Sequence, residues 1–399
     1  MKIMIIGKWP PIQGGVCADT YRLAKGLGEH GHEIIILTNA WEVESEYRSK
    51  LYGDDIDKLQ PKNVSLFSTV TYENKKLFHI PSTDMTITKL VSRGIEAIEK
   101  KGKPDLIYSY YFEPYLTVGY ILKSMFNIPL LARHAGSDIG RLALSSQVKP
   151  AFMKMLQNVD GLLTTHGHIK KFIAWGVPEE KIYKLPPSYI PDDFSLPTET
   201  MNFNDIALDG EPKVSDNDII FLMYGKVGPW KGTYDALAAI DNKFSFNHHL
   251  VYLCGNNPKF PGHKNMTRCH FVANWIVPNA LASCDVAMFL ERDFPIVFHG
   301  PMIFREILKS GTACIVSDEI AGKQFFKDKL KDGENCCIVN PKNIEALKEK
   351  MEFLGSNVQK RILIAQKGYE LIKENDVSCE TSIGGYLDIF RKIINVNKK

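Results

Sequence analysis

The sequence predicts an α/β protein made of two Rossmann-like domains, each a parallel sheet with helices on both faces. Three observations lead there. At 399 residues the chain is longer than one hydrophobic core comfortably serves, so two domains are expected. Short apolar runs alternate with helix-like stretches in two series, one starting at Lys2 and one at Ile219. The runs are apolar at successive positions, as in Thr312-Ala313-Cys314-Ile315-Val316, which suits strands covered on both sides.

Composition narrows the classes. A formal net charge of +3 is close to balance, which argues against bulk nucleic-acid binding. The eight cysteines include no CxxC pair and sit in apolar contexts, so reduced, buried thiols are expected and a zinc site is not. The vicinal Cys336-Cys337 reads as a strand entry or as a redox pair. Met1 to Gly7 reads as one short strand and no run of about eighteen apolar residues occurs, so a cytoplasmic protein is expected.

In the first half, Lys2–Gly7 is a buried strand, the loop Lys8–Val16 follows, and a helix runs from about Cys17 to His30. The paired Gly14 and Gly15 allow backbone amides to approach an anion, although a turn from strand to helix also needs glycine for conformation alone. The loop is not GxGxxG, so a nicotinamide or flavin fingerprint is absent. Glu33–Thr38 completes a βαβ unit. The region 40–82 gives few signals beyond a strand at Val64–Phe67. A helix over Ile87–Lys101 ends among Lys100, Lys101 and Lys103, which either complement the helix dipole or touch anionic lipid at a membrane face. Strands follow at Pro104–Ser109, from Ile128, and at Val159–Thr165, with a helix over Tyr115–Phe126. His134 and Asp138 lie where the strand from Ile128 runs into a Gly-containing loop, at the sheet edge that carries ligands in this class of fold. A histidine there is either structural or a partner for a sugar hydroxyl or phosphate.

Residues 186–218 are rich in Pro, Ser, Asn and acidic side chains and read as a domain connection. The second series opens with Ile219–Tyr224 and the loop Gly225–Gly232, in which Lys226 and Lys231 can neutralise the two phosphoryl groups of a diphosphate. Later strands are expected at Leu250–Cys254, His270–Val272, Val286–Phe289 and Cys314–Val316, with Val272 and Asn274 in a candidate base-binding turn. The stretch Phe294–Glu319 reads as a loop, a short helix carrying Glu306, a stop at Gly311 and a strand. His299 and Gly300 at its start, with the helix N-terminus, suit a phosphate, and Glu306 suits ligand hydroxyls. A final helix over Glu380–Val396 could return to clamp both halves, with a frayed tail beyond it.

Taken together these features resemble glycosyltransferase family 4 of the GT-B class over nearly the whole chain. The matching residues are Gly14-Gly15, His134-Ala135-Gly136-Ser137-Asp138, Gly176-Val177-Pro178-Glu179-Glu180-Lys181-Ile182, the pair Lys226 and Lys231, and Glu306 in Arg305-Glu306-Ile307. The resemblance implies two domains facing across a cleft. The N-terminal acceptor domain would span 1–190, joined by the helix 380–399, and the nucleotide-sugar domain 215–379. It further implies a retaining transfer from a UDP-sugar or GDP-sugar, with no separate cofactor, to a glycan, lipid-linked or small-molecule acceptor. Gly14 and Gly15 would face the donor, Lys226 and Lys231 would hold its diphosphate and Glu306 its ribose. The family's second Glu, eight residues earlier, is Phe298 here, and His299 and Glu291 are the candidates to replace it. No Asp-x-Asp lies in a strand-end loop to hold a metal. The competing expectations are a sugar-nucleotide epimerase or hydrolase on the same scaffold and a non-catalytic partner subunit.

Overall fold

The structure, a computed structural model, describes residues 1–70, 85–257, 260–295 and 300–397. The chain divides into two compact units: Met1–Glu44, Leu51–Ser188 and Cys379–Lys399 form the first, and Ser45–Lys50 with Tyr189–Ser378 the second. The expectations for Phe298 and His299, for part of the stretch 40–82, and for the frayed Lys398 and Lys399 fall outside the described residues.

The first unit holds a parallel sheet of seven strands. They are β1 (Lys2–Ile6), β2 (Glu33–Thr38), β3 (Val64–Ser68), β4 (Leu106–Tyr110), β5 (Leu130–Arg133), β6 (Gly161–Thr164) and β7 (Ile182–Lys184), in the spatial order 3-2-1-4-5-6-7. Alternate residues of each strand serve opposite faces. Met4, Ile6, Ile35, Leu37 and Ile107 join one core with Leu90, Leu122 and Phe152 of the flanking helices. On the other face the helix Cys379–Asn397 lays Tyr386 and Phe390 against Tyr108, with ring centroids 6.3 and 6.0 Å apart. Arg133 anchors that helix: its guanidinium donates to the Tyr386 hydroxyl at 2.9 Å and pairs with Asp19 at 2.5 Å.

In the second unit, six parallel strands run in the order 10-9-8-11-12-13: β8 (Ile219–Tyr224), β9 (His248–Leu253), β10 (Met266–Cys269), β11 (Val286–Phe289), β12 (Ala313–Ser317) and β13 (Cys337–Val339). The two-sided burial is explicit here. Leu222, Val251, Ala287 and Cys314 belong to one core, and their neighbours Phe221, Leu250, Val286 and Ala313 to the other. Each buried Leu or Val contributes about 1.5–3 kcal/mol, so the apolar runs dominate the stability of both layers.

One expectation is corrected. The strand read at His270–Val272 lies earlier, at Met266–Cys269, because its polar residues are satisfied in place: Arg268 pairs with Glu211, and the Thr267 hydroxyl donates to the Pro212 carbonyl at 2.5 Å. The chain passes from the first unit to the second at Ser188–Tyr189, inside the stretch read as a connection, and the rest of that stretch packs onto the second unit, since Ile190, Phe194, Phe203 and Ile206 are core residues and Lys309 Nζ donates to the Ile190 carbonyl at 2.6 Å. All eight cysteines are free thiols, and burial pushes Cys336 up to about 12 and Cys337 up to about 11, which keeps them protonated and unreactive. Among the described residues no helix is long and apolar enough to cross a membrane. Of the basic residues at the end of the helix Thr86–Lys101, Lys100 pairs with Glu96 of its own helix at 2.7 Å.

Candidate functional site

In an open α/β sheet the crevice forms where the strand order reverses, because loops leaving the two central strands diverge there. In the second unit that point lies between β8 and β11. After β8 comes the loop Gly225–Gly232, and its last residue is confined: Gly232 has φ +68, and a Cβ on it would stand 2.3 Å from the Leu290 carbonyl oxygen. Only glycine lets this loop turn against the exit of β11. The consequence is that Lys231 meets Glu291. The Lys231 ammonium forms an ion pair with the Glu291 carboxylate and lies 4.6 Å from the centre of the Phe294 ring. Glu291 is 0% exposed and Lys231 22%, so one of the two expected diphosphate cations already has a buried counter-charge. The other, Lys226, sits 5.3 Å from the centre of the Tyr47 ring.

Glu306 occupies the helix Ile303–Lys309, which ends at Gly311 with φ +69, the left-handed turn the sequence predicts there. Its carboxylate is buried and accepts a hydrogen bond from the Tyr224 hydroxyl at 2.9 Å. Tyr224 is the last residue of β8, two positions before Lys226, so this bond ties Glu306 to the strand end that bears the lysine loop. Val272 and Asn274 follow β10, and the Val272 carbonyl accepts from the Ser49 hydroxyl at 3.0 Å. Gly300 is exposed, with open space where a side chain would be.

In the first unit the order reverses between β1 and β4. Gly14, with φ +126, precedes the helix Gly15–Glu29, and no side chain caps its first turn. Beyond β4, Tyr111 takes φ +91, a conformation that costs an aromatic residue on the order of 1–3 kcal/mol. Its hydroxyl shares a hydrogen bond with the Ser137 hydroxyl at 2.7 Å, and the Lys8 ammonium lies 4.4 Å from its ring centre. Burial lowers the Lys8 pKa from its ordinary value. Asp138 is fully buried in the short helix Gly136–Gly140, where its carboxylate accepts from the Ala135 amide at 2.7 Å. Burial pushes that carboxyl up to about 7, with the Ala135 and Phe112 amides and Lys8 pulling the other way.

His134 faces inward. Its Nδ1 is 3.2 Å from the Ala135 carbonyl and so carries the proton, which leaves Nε2 to accept from the Thr164 hydroxyl at 2.8 Å. Burial beside Phe112, Phe172 and His168 lowers its pKa to about 3, so the imidazole is neutral. Both ring nitrogens are engaged within the protein.

The structure thus joins Lys231 with Glu291 and ties Glu306 to the strand end ahead of Lys226 in the second unit, and groups Asp138 with Lys8 in the first. Sequence reasoning missed Tyr224, Lys8, Tyr111 and Tyr47. The first three each sit at or just after the end of a buried strand, a signal that could have found them, while Tyr47 lies in the stretch that gave little signal. Among the described residues no group of three or more His, Cys, Asp or Glu side chains is placed to hold a metal ion.

No protein-family model matches the chain, and no curated protein matches it. Solved structures do. Sucrose-phosphate synthase from Thermosynechococcus elongatus aligns at 14% identity with a TM-score of 0.65, covering 99% of both chains. A glycosyltransferase from Rickettsia africae aligns at 16% identity with a TM-score of 0.60, covering 98% of both. HepE of Anabaena, solved in complex with UDP and glucose, aligns at 14% identity with a TM-score of 0.62, covering 98% of this chain and 100% of its own. The chain therefore has the two-sheet α/β GT-B fold found in glycosyltransferases.

Proposed function

We propose that the protein is a glycosyltransferase that moves a sugar from a nucleoside diphosphate sugar, UDP- or GDP-linked, to a glycan, lipid-linked or small-molecule acceptor, with retention at the anomeric carbon. The observation that carries this reading is the second unit's strand edge. There Lys226 and Lys231 leave the end of β8 while Glu306, tied to that same end by Tyr224, offers a carboxylate. Two cations and one hydroxyl-seeking carboxylate are the donor set that a diphosphate joined to a ribose requires. The fold shared with HepE, solved with UDP and glucose, supports it.

In the reaction, the bond from the anomeric carbon to the leaving phosphate oxygen breaks and the diphosphate keeps the electron pair. The acceptor oxygen bonds to that carbon on the same face, and its proton passes to a leaving-group oxygen. Lys226, Lys231, the amides after Gly300 and any contact from His299 stabilise the charge that grows on the diphosphate, the largest part of the catalysis. The lysines supply the positive charge without a metal or separate cofactor. Val272 and Asn274 bound the base. In the first unit, Gly14 and Gly15 offer backbone amides to an anionic or hydroxyl-bearing group of a substrate. His134 accepts a hydrogen bond from a sugar hydroxyl that displaces Thr164, and Asp138 fixes the loop that carries it.

A thermal-shift screen with nucleotides and nucleotide sugars tests the reading, since a ligand bound only to the folded chain raises its melting temperature. UDP, GDP or their sugars should do so. Product analysis with and without acceptors then separates transfer from epimerisation or hydrolysis of the donor alone. Absence of any shift and any turnover would refute the proposal.

A further inference from the structure

The short segment Ser45–Lys50 belongs to the second unit, although the residues on either side of it belong to the first. Within the second unit it lies across the carboxyl ends of three adjacent strands. At β10, the Lys50 amide donates to the Phe271 carbonyl at 2.8 Å and the Ser49 hydroxyl to the Val272 carbonyl at 3.0 Å. At β9, Gly255 has φ +68, and a Cβ there would stand 3.1 Å from the Glu46 carbonyl oxygen and 2.5 Å from the Phe271 ring. A side chain at that position would displace the Phe271 ring and press on the segment's backbone. At β8, Tyr47 holds its ring 5.3 Å from the Lys226 ammonium.

This is also the path a bound nucleotide takes if the proposed function holds, with its base at Val272 and its diphosphate at Lys226. We propose that Ser45–Lys50 forms one wall of the nucleotide subsite and that Tyr47 is its aromatic contact, packing against the nucleoside. Tyr47 is 42% exposed, so its ring is open to a ligand. When Lys226 turns to the diphosphate, it uncovers a ring face able to take a base or ribose, and stacking of this kind tolerates different bases. The inference rests on the donor-site reading and adds to it residues that strand-end loops alone would not supply.

The test is calorimetry with UDP, GDP and inorganic pyrophosphate on the full chain and on Tyr47→Phe, Tyr47→Leu and Tyr47→Ala. Pyrophosphate reports the diphosphate contacts without those to the nucleoside. Tyr47→Ala should weaken the tighter nucleoside diphosphate about tenfold, leave pyrophosphate within about twofold, and Tyr47→Phe should match the parent. Equal affinity in all four proteins overturns the proposal, as does tighter binding of pyrophosphate and the nucleoside diphosphates alike in the Ala and Leu variants, which would mean that Tyr47 only competes for Lys226. Should Tyr47→Ala fail to fold, the Leu and Phe variants carry the same comparison. If the parent chain binds none of the three ligands, the donor-site reading falls and this inference with it; if it binds them and the substitutions change nothing, the inference alone falls.

Discussion

Replacing Glu291 with Gln is the most informative perturbation of the donor loop. The substitution keeps the shape and one acceptor for the Lys231 ammonium but removes the buried charge that balances it. Removing one partner of a fully buried pair costs about 3–5 kcal/mol; Lys231 retains access to water, so about 2 kcal/mol is expected here. For a unit of this size that corresponds to a drop of about 4–8 °C in melting temperature. Ligand binding should move the opposite way. A phosphoryl oxygen and the Glu291 carboxylate on opposite sides of one ammonium are about 6 Å apart and, at an effective dielectric of about 20, repel by about 3 kcal/mol. Halving that for solvent screening leaves about 1.5 kcal/mol, so Glu291→Gln should bind UDP or pyrophosphate about tenfold more tightly. Calorimetry on the purified variant measures this. An unchanged or weaker affinity in a variant that still melts cooperatively would show that Lys231 does not meet the diphosphate.

Three further outcomes are expected. Glu306→Ala should weaken nucleoside diphosphate binding about ten- to a hundredfold by calorimetry, because it deletes charge-assisted hydrogen bonds of about 1.5–3 kcal/mol each. Asp138 has a carboxyl raised to about 7 from an ordinary 3.8, so its contribution to stability is full below about pH 4 and is lost as pH rises through 7. Asp138→Asn, which keeps an acceptor for the Ala135 amide, should therefore gain melting temperature relative to the parent between about pH 5 and pH 8, and a constant difference across that range would contradict the burial of the charge. His134 has the opposite sign: lowered to about 3 from 6.5, its contribution is present above 6.5 and lost as pH falls toward 3. His134→Gln should accordingly resist acid unfolding to lower pH than the parent, as followed by circular dichroism, and an identical acid midpoint would count against the buried neutral ring.

The second unit's β8, β9, β11 and β12 were legible because their apolar runs are long enough to mark strands with two covered faces. The strand Met266–Cys269 was misplaced because Thr267 and Arg268 look like loop residues until Pro212 and Glu211 are brought to them from more than fifty positions away. At the candidate site, Lys226, Lys231 and Glu306 were readable from residue type and from their place after a strand or before a Gly stop. Their partners were not. Lys231 meets Glu291 across 60 positions and Tyr224 meets Glu306 across 82.

By itself, then, the sequence determined the local pieces: two series of buried strands, the glycine stop at 311, and chemically apt side chains at strand ends. Tertiary structure alone decided which of those side chains share a charge, which hydroxyl holds His134, and that Ser45–Lys50 lies across the second sheet. The physical reason is that hydrophobic periodicity and turn chemistry act over a few residues. The carboxyl edge of a parallel sheet is instead assembled by the spatial order 10-9-8-11-12-13, which sets side by side residues that no local preference connects.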